Sequence, residues 1–190
     1  MWLNAASSLK YPAQFSSNQR RVTLLGEGYF EVARDKKRPF IVATSTQNIV
    51  VLGTHFNVNA YPDENETRTT LLDGALNVKP KFDPALARVL KPGQQAVLNA
   101  TKLDISLVSA EEAIAWKEGY FLFNNEDIKT AMRKLARWYN LEISFEGDFT
   151  DIYFGGSFSR NNSLRETLDI LESTNKFKCK IEGRRMTIIK

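Results

Sequence analysis

The two side chains with the greatest chemical versatility occur once each in this sequence and lie far apart. His55 is the single histidine and Cys179 the single cysteine of the 190-residue chain. His55 lies in an apolar stretch typical of a β-strand, and no second histidine or cysteine stands near it to complete a metal site. The sequence therefore favours a packed or hydrogen-bonded histidine and predicts no metal.

Cys179 lies in a second predicted strand, where it alternates with Phe177 and Ile181. Residues two apart in a strand share one face, so this spacing predicts a cysteine that fills an apolar face rather than a nucleophile. A single cysteine also excludes an internal disulfide. It leaves the cellular compartment open, because a protein outside the cytoplasm does not need a disulfide.

A pair of carboxylates is the remaining arrangement that suits an enzyme. Glu27 and Glu31 are four residues apart in a predicted strand, and a glycosidase needs two such carboxylates. Surface or turn carboxylates are the favoured interpretation, and the sequence has no glycine-rich phosphate loop, zinc-protease helix or nucleophile elbow. We therefore predict no enzyme, no catalytic residue and no cofactor. An enzyme on a β-scaffold stays open as a third interpretation, which would need a polar pocket with perturbed carboxylates.

The composition is that of an ordinary soluble globular protein. Hydrophobic residues make up 43% and charged residues 25% of the chain, which excludes a disordered tail or a collagen-like fibre. Twenty-six Lys and Arg against twenty-two Asp and Glu give a net charge of +4, which is too small to indicate nucleic acid. No apolar run approaches the roughly 20 residues that span a bilayer, and the first residues lack the pattern of an export signal. If the chain works outside the cytoplasm, we expect an upstream part.

The elements change in character near residue 110. Before it, short alternating apolar runs are interrupted by glycine-containing turns. This regular spacing of short strands and turns predicts an all-β domain over residues 1–110, built as a sandwich, a roll or a short β-solenoid. Asp73 and Gly74 form a signal for a β-hairpin. The predicted strands cover residues 21–25, 29–32, 40–43, 49–52, 56–60, 69–72, 76–78 and 96–98.

The second part of the chain alternates helices with strands. Residues 126–139 have amphipathic helical spacing with Asn125 as a cap, and Ser163 with Glu166 forms the capping box of a second helix. The order βαββαββ predicts a small α+β domain over residues 116–190, with two helices on one face of a small sheet. Its predicted strands cover residues 120–123, 141–145, 152–158, 177–181 and 186–189.

An RNA-binding sheet is a further interpretation of the second part. Its element order resembles that of RNA-recognition domains, and residues 119–123 look faintly like their aromatic strand motif. Glu118 stands where that motif has a basic residue, so the pattern fails there. Lys178 and Lys180 give a later strand a basic face, for which a solvated surface is favoured, then a protein partner, then nucleic acid. We predict no nucleic-acid partner.

Several blocks of sequence in a fixed order resemble a known family. Together they look like the periplasmic FecR domain of bacterial anti-sigma factors. The remainder, from Trp116 through residues 137–139 to the final hairpin, resembles the domain that often follows FecR in such regulators. That domain is similar to the secretin and TonB short N-terminal (STN) fold. The FecR-like blocks, which we expect to be mostly structural, are residues 2–12, 21–32, 39–42, 51–58 and 92–95.

The resemblance implies signal relay rather than catalysis. In this family the periplasmic part receives a signal from a TonB-dependent outer-membrane transducer and controls an extracytoplasmic-function sigma factor. The family's cytoplasmic sigma-binding segment and transmembrane helix are absent from this sequence. We therefore expect a periplasmic soluble fragment of a single-pass inner-membrane protein, with the membrane anchor upstream and the sigma factor reached only through the missing cytoplasmic segment. A carbohydrate- or envelope-binding β-module without a signalling role is the alternative, which clustered exposed aromatics lining a groove would support.

The edges of the small sheet in the second part are the predicted contact surface. An open edge accepts a strand from another protein, and the resemblance implies the signalling domain of a TonB-dependent outer-membrane transporter as that partner. Tyr153 and Phe154 are the expected anchors, because aromatic side chains dominate binding hot spots. The full set of predicted contact residues is Ile152, Tyr153, Phe154, Phe158, Phe177, Lys178 and Lys180.

Overall fold

The chain divides into two compact units. A computed structural model describes residues 1–190, and its contacts separate Met1–Lys117 from Glu118–Lys190. The secondary structure is mostly β, as the sequence predicts, and both α-helices lie in the second unit. Neither helix has the length and the apolar character that a membrane span requires.

The first unit is built from one curled sheet of eleven strands. Its path runs β11-β10-β7-β6-β3-β4-β5-β8-β9, and β1 and β2 pair with β3 beside that path. The two ends of the path approach each other at β9 and β10. The strands are β1 (Trp2–Leu3), β2 (Ser8–Lys10), β3 (Arg20–Val32), β4 (Phe40–Ala43), β5 (Gln47–Val51), β6 (Thr54–Ala60), β7 (Thr67–Asp73), β8 (Leu76–Pro80), β9 (Arg88–Leu90), β10 (Gln94–Leu98) and β11 (Leu103–Leu107).

Strand β3 lies between β6 and β4 and joins the two parts of the strand path. The sequence predicts two strands there, separated by Gly26 and Gly28, but the structure has one strand of 13 residues. Its first part pairs with β4 in parallel and its second part with β6 in antiparallel orientation. Alternate side chains of β3 enter the core, where the rings of Phe30 and Phe56 stack at 5.2 Å.

Asp73 and Gly74 do not form the predicted hairpin. β7 ends at Asp73 and pairs with β6 and β10, whereas β8 begins at Leu76 and pairs with β5 and β9. The turn therefore connects two strands that are not neighbours in the sheet. The prediction is wrong because strand partners come from remote parts of the chain, which a local turn signal does not report.

The second unit follows the predicted βαββαββ order, but its strands form two sheets rather than one. β12 pairs with β14, and separately β16 lies between β13 and β15. The pairing of β13 with β16 is parallel, and the other pairs are antiparallel. The elements are β12 (Tyr120–Asp127), α1 (Ile128–Tyr139), β13 (Glu142–Glu146), β14 (Tyr153–Ser159), α2 (Leu164–Glu172), β15 (Lys178–Glu182) and β16 (Arg185–Ile189).

Both helices of the second unit begin at a side-chain cap. The Ser163–Glu166 capping box at α2 is confirmed. At α1 the cap is Asp127, whose carboxylate accepts a hydrogen bond from the Thr130 backbone N–H at 3.0 Å. The predicted cap, Asn125, instead lies in an irregularity of β12 with φ of 48°. Asparagine and aspartate cap equally well, so the local signal alone did not distinguish the two positions.

The core of the second unit is formed by the apolar faces of both helices and of both sheets. Met132 and Leu135 of α1 and Leu168 of α2 are fully buried. They pack with the ring of Phe121 from β12 and with Met186 from β16. The helical periodicity predicted the burial of Ile128, Ala131, Met132 and Leu135 on this face correctly, but Trp138, which shares their spacing, is 41% exposed.

Candidate partner-binding surface

The predicted contact residues lie on or beside two strands that each have an open edge. β14 has β12 as its only strand neighbour, and β15 has β16 as its only strand neighbour. An open edge exposes backbone N–H and C=O groups that a strand from another protein can pair with. The two strands belong to different sheets of the same unit, so a partner strand pairs with one edge or the other.

Alternation along β14 separates its predicted contact residues into two groups. Ile152 and Phe154 are 6% and 5% exposed and belong to the core, whereas Tyr153 is 49% exposed. Phe158 is half-buried, and its ring lies 5.6 Å from that of Phe123. The side chain of Phe154 is therefore not available as an anchor in this structure, because it faces the helices. Tyr153 is the exposed aromatic of the pair.

The predicted residues around β15 divide in the same way. Phe177 is buried with its ring edge-on to Phe154 at 5.7 Å, while Lys178 and Lys180 are exposed. The Lys180 ammonium lies 2.9 Å from the Glu182 carboxylate. This hydrogen bond raises the pKa of Lys180 and lowers that of Glu182. The basic face predicted from alternation is present, and Glu182 offsets part of its charge.

A buried carboxylate fixes the start of β15 against α2. Glu172, the last residue of α2, is 8% exposed and accepts a hydrogen bond from the Cys179 backbone N–H at 2.7 Å. Burial, and then the charge and hydrogen bond of Glu172, raise the pKa of the Cys179 thiol to about 12. A thiol with a raised pKa is a poor nucleophile. Cys179 thus sits on a partly buried apolar face, as the spacing with Phe177 predicted.

The raised pKa of Cys179 predicts slow alkylation of the folded protein. At pH 8 the thiolate fraction should be about a thousandfold below that of an ordinary cysteine, because the pKa rises from 9.0 to about 12. Iodoacetamide labelling followed by mass spectrometry, with and without denaturant, measures this difference. Because folding raises the pKa of this thiol, its contribution to the stability of the folded state is complete below pH 9 and is lost as the pH rises through 9 to 12. Equal labelling rates with and without denaturant would contradict the raised pKa of Cys179.

The two glutamates of β3 lie in different environments. Glu27 is 7% exposed, so its prediction as a surface carboxylate is wrong, whereas Glu31 is exposed. Both oxygens of Glu27 accept hydrogen bonds from side-chain amides, of Asn4 at 2.7 Å and of Asn57 at 2.9 Å. The spacing identified neither the burial nor these partners, because all of them come from elsewhere in the chain.

The aromatic strand β12 does not resemble an RNA-binding platform. Such a platform needs rings exposed on the sheet face, but Phe121 and Phe123 are each 1% exposed and pack beneath α1. Tyr120 is the exposed ring of this strand. The geometry therefore agrees with the failure of the motif at Glu118.

Comparison with known proteins gives consistent matches to both units. The FecR protein family matches residues 1–77, and the family described as FecR, C-terminal matches residues 120–188. Two crystal structures of a proposed anti-sigma factor from Parabacteroides distasonis superimpose with a TM-score of 0.88 at 30% sequence identity. The match covers 99% of this chain and 88% of theirs. The comparison with curated proteins gives no match.

Proposed function

Because the chain belongs to the FecR family of anti-sigma factors, we propose that it is the periplasmic signal-relay part of a membrane-anchored regulator of an extracytoplasmic-function sigma factor. The family regulates transcription and is not a family of enzymes. In the proposal, the sigma factor binds a cytoplasmic segment outside these residues, and the signal comes from a TonB-dependent outer-membrane transporter.

The second unit, proposed to be STN-like, receives this signal by strand addition. The observation that carries the proposal is the open edge of β14 with the exposed ring of Tyr153 on it. Gly155 in the same strand has nothing within 4 Å of the position a side chain would take. A glycine in an edge strand lets another backbone approach closely. The edge thus combines accessible backbone groups with one large aromatic side chain, which is what a strand-adding partner needs.

A conformational relay then joins the partner to the sigma factor. Loading of the transporter changes its signalling domain, which engages the second unit, and the first unit passes the change to the membrane anchor. Binding changes the regulator only if the partner prefers one of its conformations. The affinity difference between those conformations sets the strength of the signal.

Replacing Tyr153 by alanine is expected to weaken the signalling domain's binding by about thirtyfold, the effect of losing a hot-spot aromatic worth about 2 kcal/mol. Calorimetric titration of the full chain with the signalling domain of the transporter encoded beside it measures the dissociation constant. Tyr153 is 49% exposed, so its loss should leave the fold unchanged, which circular dichroism checks.

Ile170→Ala is the matched control, because Ile170 is 50% exposed in the same unit but lies on α2 rather than on β14. It should bind as tightly as the wild type. Equal losses in both variants would argue against the β14 edge. Tight binding by Tyr153→Ala would also overturn it, and no binding by the wild type would overturn the choice of partner.

A further inference from the structure

The amino-terminal strand of the first unit is held on β3 at Glu27 and Tyr29. β1 pairs with β3 so that Trp2 lies opposite Tyr29, and their rings are 5.6 Å apart. Asn4 then makes two hydrogen bonds to Glu27, from its backbone N–H to the carbonyl at 3.0 Å and from its side-chain amide to the carboxylate at 2.7 Å. β1 has only two residues, and Trp2 is 43% exposed, so these contacts supply much of its attachment.

The other end of the same unit reaches the same two residues of β3. The indole N–H of Trp116 donates a hydrogen bond to the Asn57 side-chain oxygen at 3.2 Å, and the Asn57 amide donates to the Glu27 carboxylate at 2.9 Å. The Lys117 ammonium lies 4.9 Å from the ring centre of Trp2 and 5.5 Å from that of Tyr29.

The two oxygens of the Glu27 carboxylate therefore connect the first residues of the unit with its last residues. Oε2 bonds Asn4 directly, and Oε1 bonds Trp116 through Asn57. Glu27 and Asn57 are 7% and 3% exposed. A buried carboxylate that loses one partner pays a desolvation cost, so the bonds on its two sides support each other. The Lys117 ammonium bridges the two ends a second time, since it lies over Trp2 itself.

We propose that these contacts form a clasp that couples the residues leading out of the first unit to its amino-terminal strand. Displacing Trp116 and Lys117 releases β1, and releasing β1 loosens residues 116–117. The clasp consists of Trp2, Asn4, Glu27, Tyr29, Asn57, Trp116 and Lys117. It goes beyond the proposed partner contact and does not depend on it, because every group belongs to the first unit.

The clasp lets a change that arrives at residues 116–117 release the amino-terminal strand while the rest of the sheet stays folded. Short, exposed elements are the ones that open locally at low free energy. β1 is such an element, whereas the neighbouring part of β3 is buried among the core strands. Release of the clasp therefore frees the amino-terminal residues while β3 and β6 stay paired.

Hydrogen–deuterium exchange of the full chain tests this coupling. Lys117→Leu removes the ammonium and keeps the apolar stem, and Trp116→Phe removes the indole donor and keeps an aromatic ring. Each should speed exchange of the Asn4 amide, which donates to the Glu27 carbonyl, by about threefold to tenfold, the range expected from the loss of one such interaction. Amides of β6 and of the second unit should exchange at wild-type rates.

Three comparisons make the test specific. Lys117→Arg keeps the cation and should retain wild-type exchange at Asn4, whereas Lys102→Leu and Trp138→Phe make the same kinds of change outside the clasp and should leave the Asn4 amide unaffected. Coupling is reciprocal, so Trp2→Ala should speed exchange of the Lys117 amide, which bonds the Ile114 carbonyl at 2.9 Å. Unchanged exchange at Asn4 in both clasp variants would overturn the proposal. Equal acceleration throughout the first unit would overturn it too, because it would indicate general destabilisation.

Discussion

Replacing Phe154 by aspartate is expected to unfold the second unit rather than to remove a partner contact. Phe154 is 5% exposed and packs edge-on against Phe177 in the core. Losing a buried aromatic side chain costs about 3–5 kcal/mol, and burying an unpaired carboxylate adds a further cost of about 2 kcal/mol or more. The total approaches the whole stability of a domain of this size. The variant should therefore lose the structure of α1 and α2.

Amide exchange of the α1 residues measures this result. Their protection should fall to that of an unfolded chain in Phe154→Asp. Tyr153→Asp is the matched control, since the same charge is placed one position along β14 at an exposed site, and its α1 amides should stay protected. A Phe154→Asp protein whose α1 amides exchange as slowly as those of Tyr153→Asp would show that this ring is not part of the core.

Replacing Gly26 by alanine is expected to destabilise the first unit by about 3 kcal/mol or more. Gly26 has φ of +89°, a left-handed conformation that costs another residue about 1–3 kcal/mol. An added side-chain carbon would also come within 2.8 Å of Ser7 Cβ and 2.9 Å of Ser7 Cα, and would collide with the Ser7 hydroxyl. Overpacking of this kind typically costs about 1–3 kcal/mol more. Urea unfolding monitored by circular dichroism gives the difference in free energy.

Gly93→Ala separates the two contributions. Gly93 has a similar φ of +80°, but nothing lies within 4 Å of the added carbon. It should therefore show the conformational cost alone, about 1–3 kcal/mol. If the two variants lose the same stability, then the segment carrying Ser7 moves aside without cost and the close approach does not constrain the fold.

Side-chain alternation made much of the second unit predictable. Phe177, Cys179 and the lysines between them alternate in sequence, and the structure places Phe177 in the core and Lys178 and Lys180 in solvent. The same period, applied to β14, puts Ile152 and Phe154 on one face and Tyr153 on the other. Treating Tyr153 and Phe154 as equivalent anchors overlooked this signal. The alternation did not show which of the two faces is buried, because that depends on where the helices pack.

The sequence did not predict the features that join distant parts of the chain. The turn at Asp73 and Gly74 has the residues of a hairpin, yet β7 and β8 pair with other strands. Glu27 looked like a surface carboxylate because its partners, Asn4 and Asn57, are not its neighbours in sequence. Local patterns report periodicity and turn chemistry, whereas these contacts depend on the order of strands in the sheet.

The position of β16 has a consequence for the way the second unit assembles during synthesis. β16 is the central strand of its sheet, and it pairs with β13 on one side and with β15 on the other. The ribosome makes both neighbours before it makes β16, so neither has its strand partner while the chain is still growing. Unpaired strands with apolar faces are prone to aggregation. The three-stranded sheet of the second unit therefore closes only after β16 has been made, and until then β13 and β15 lack the strand that lies between them.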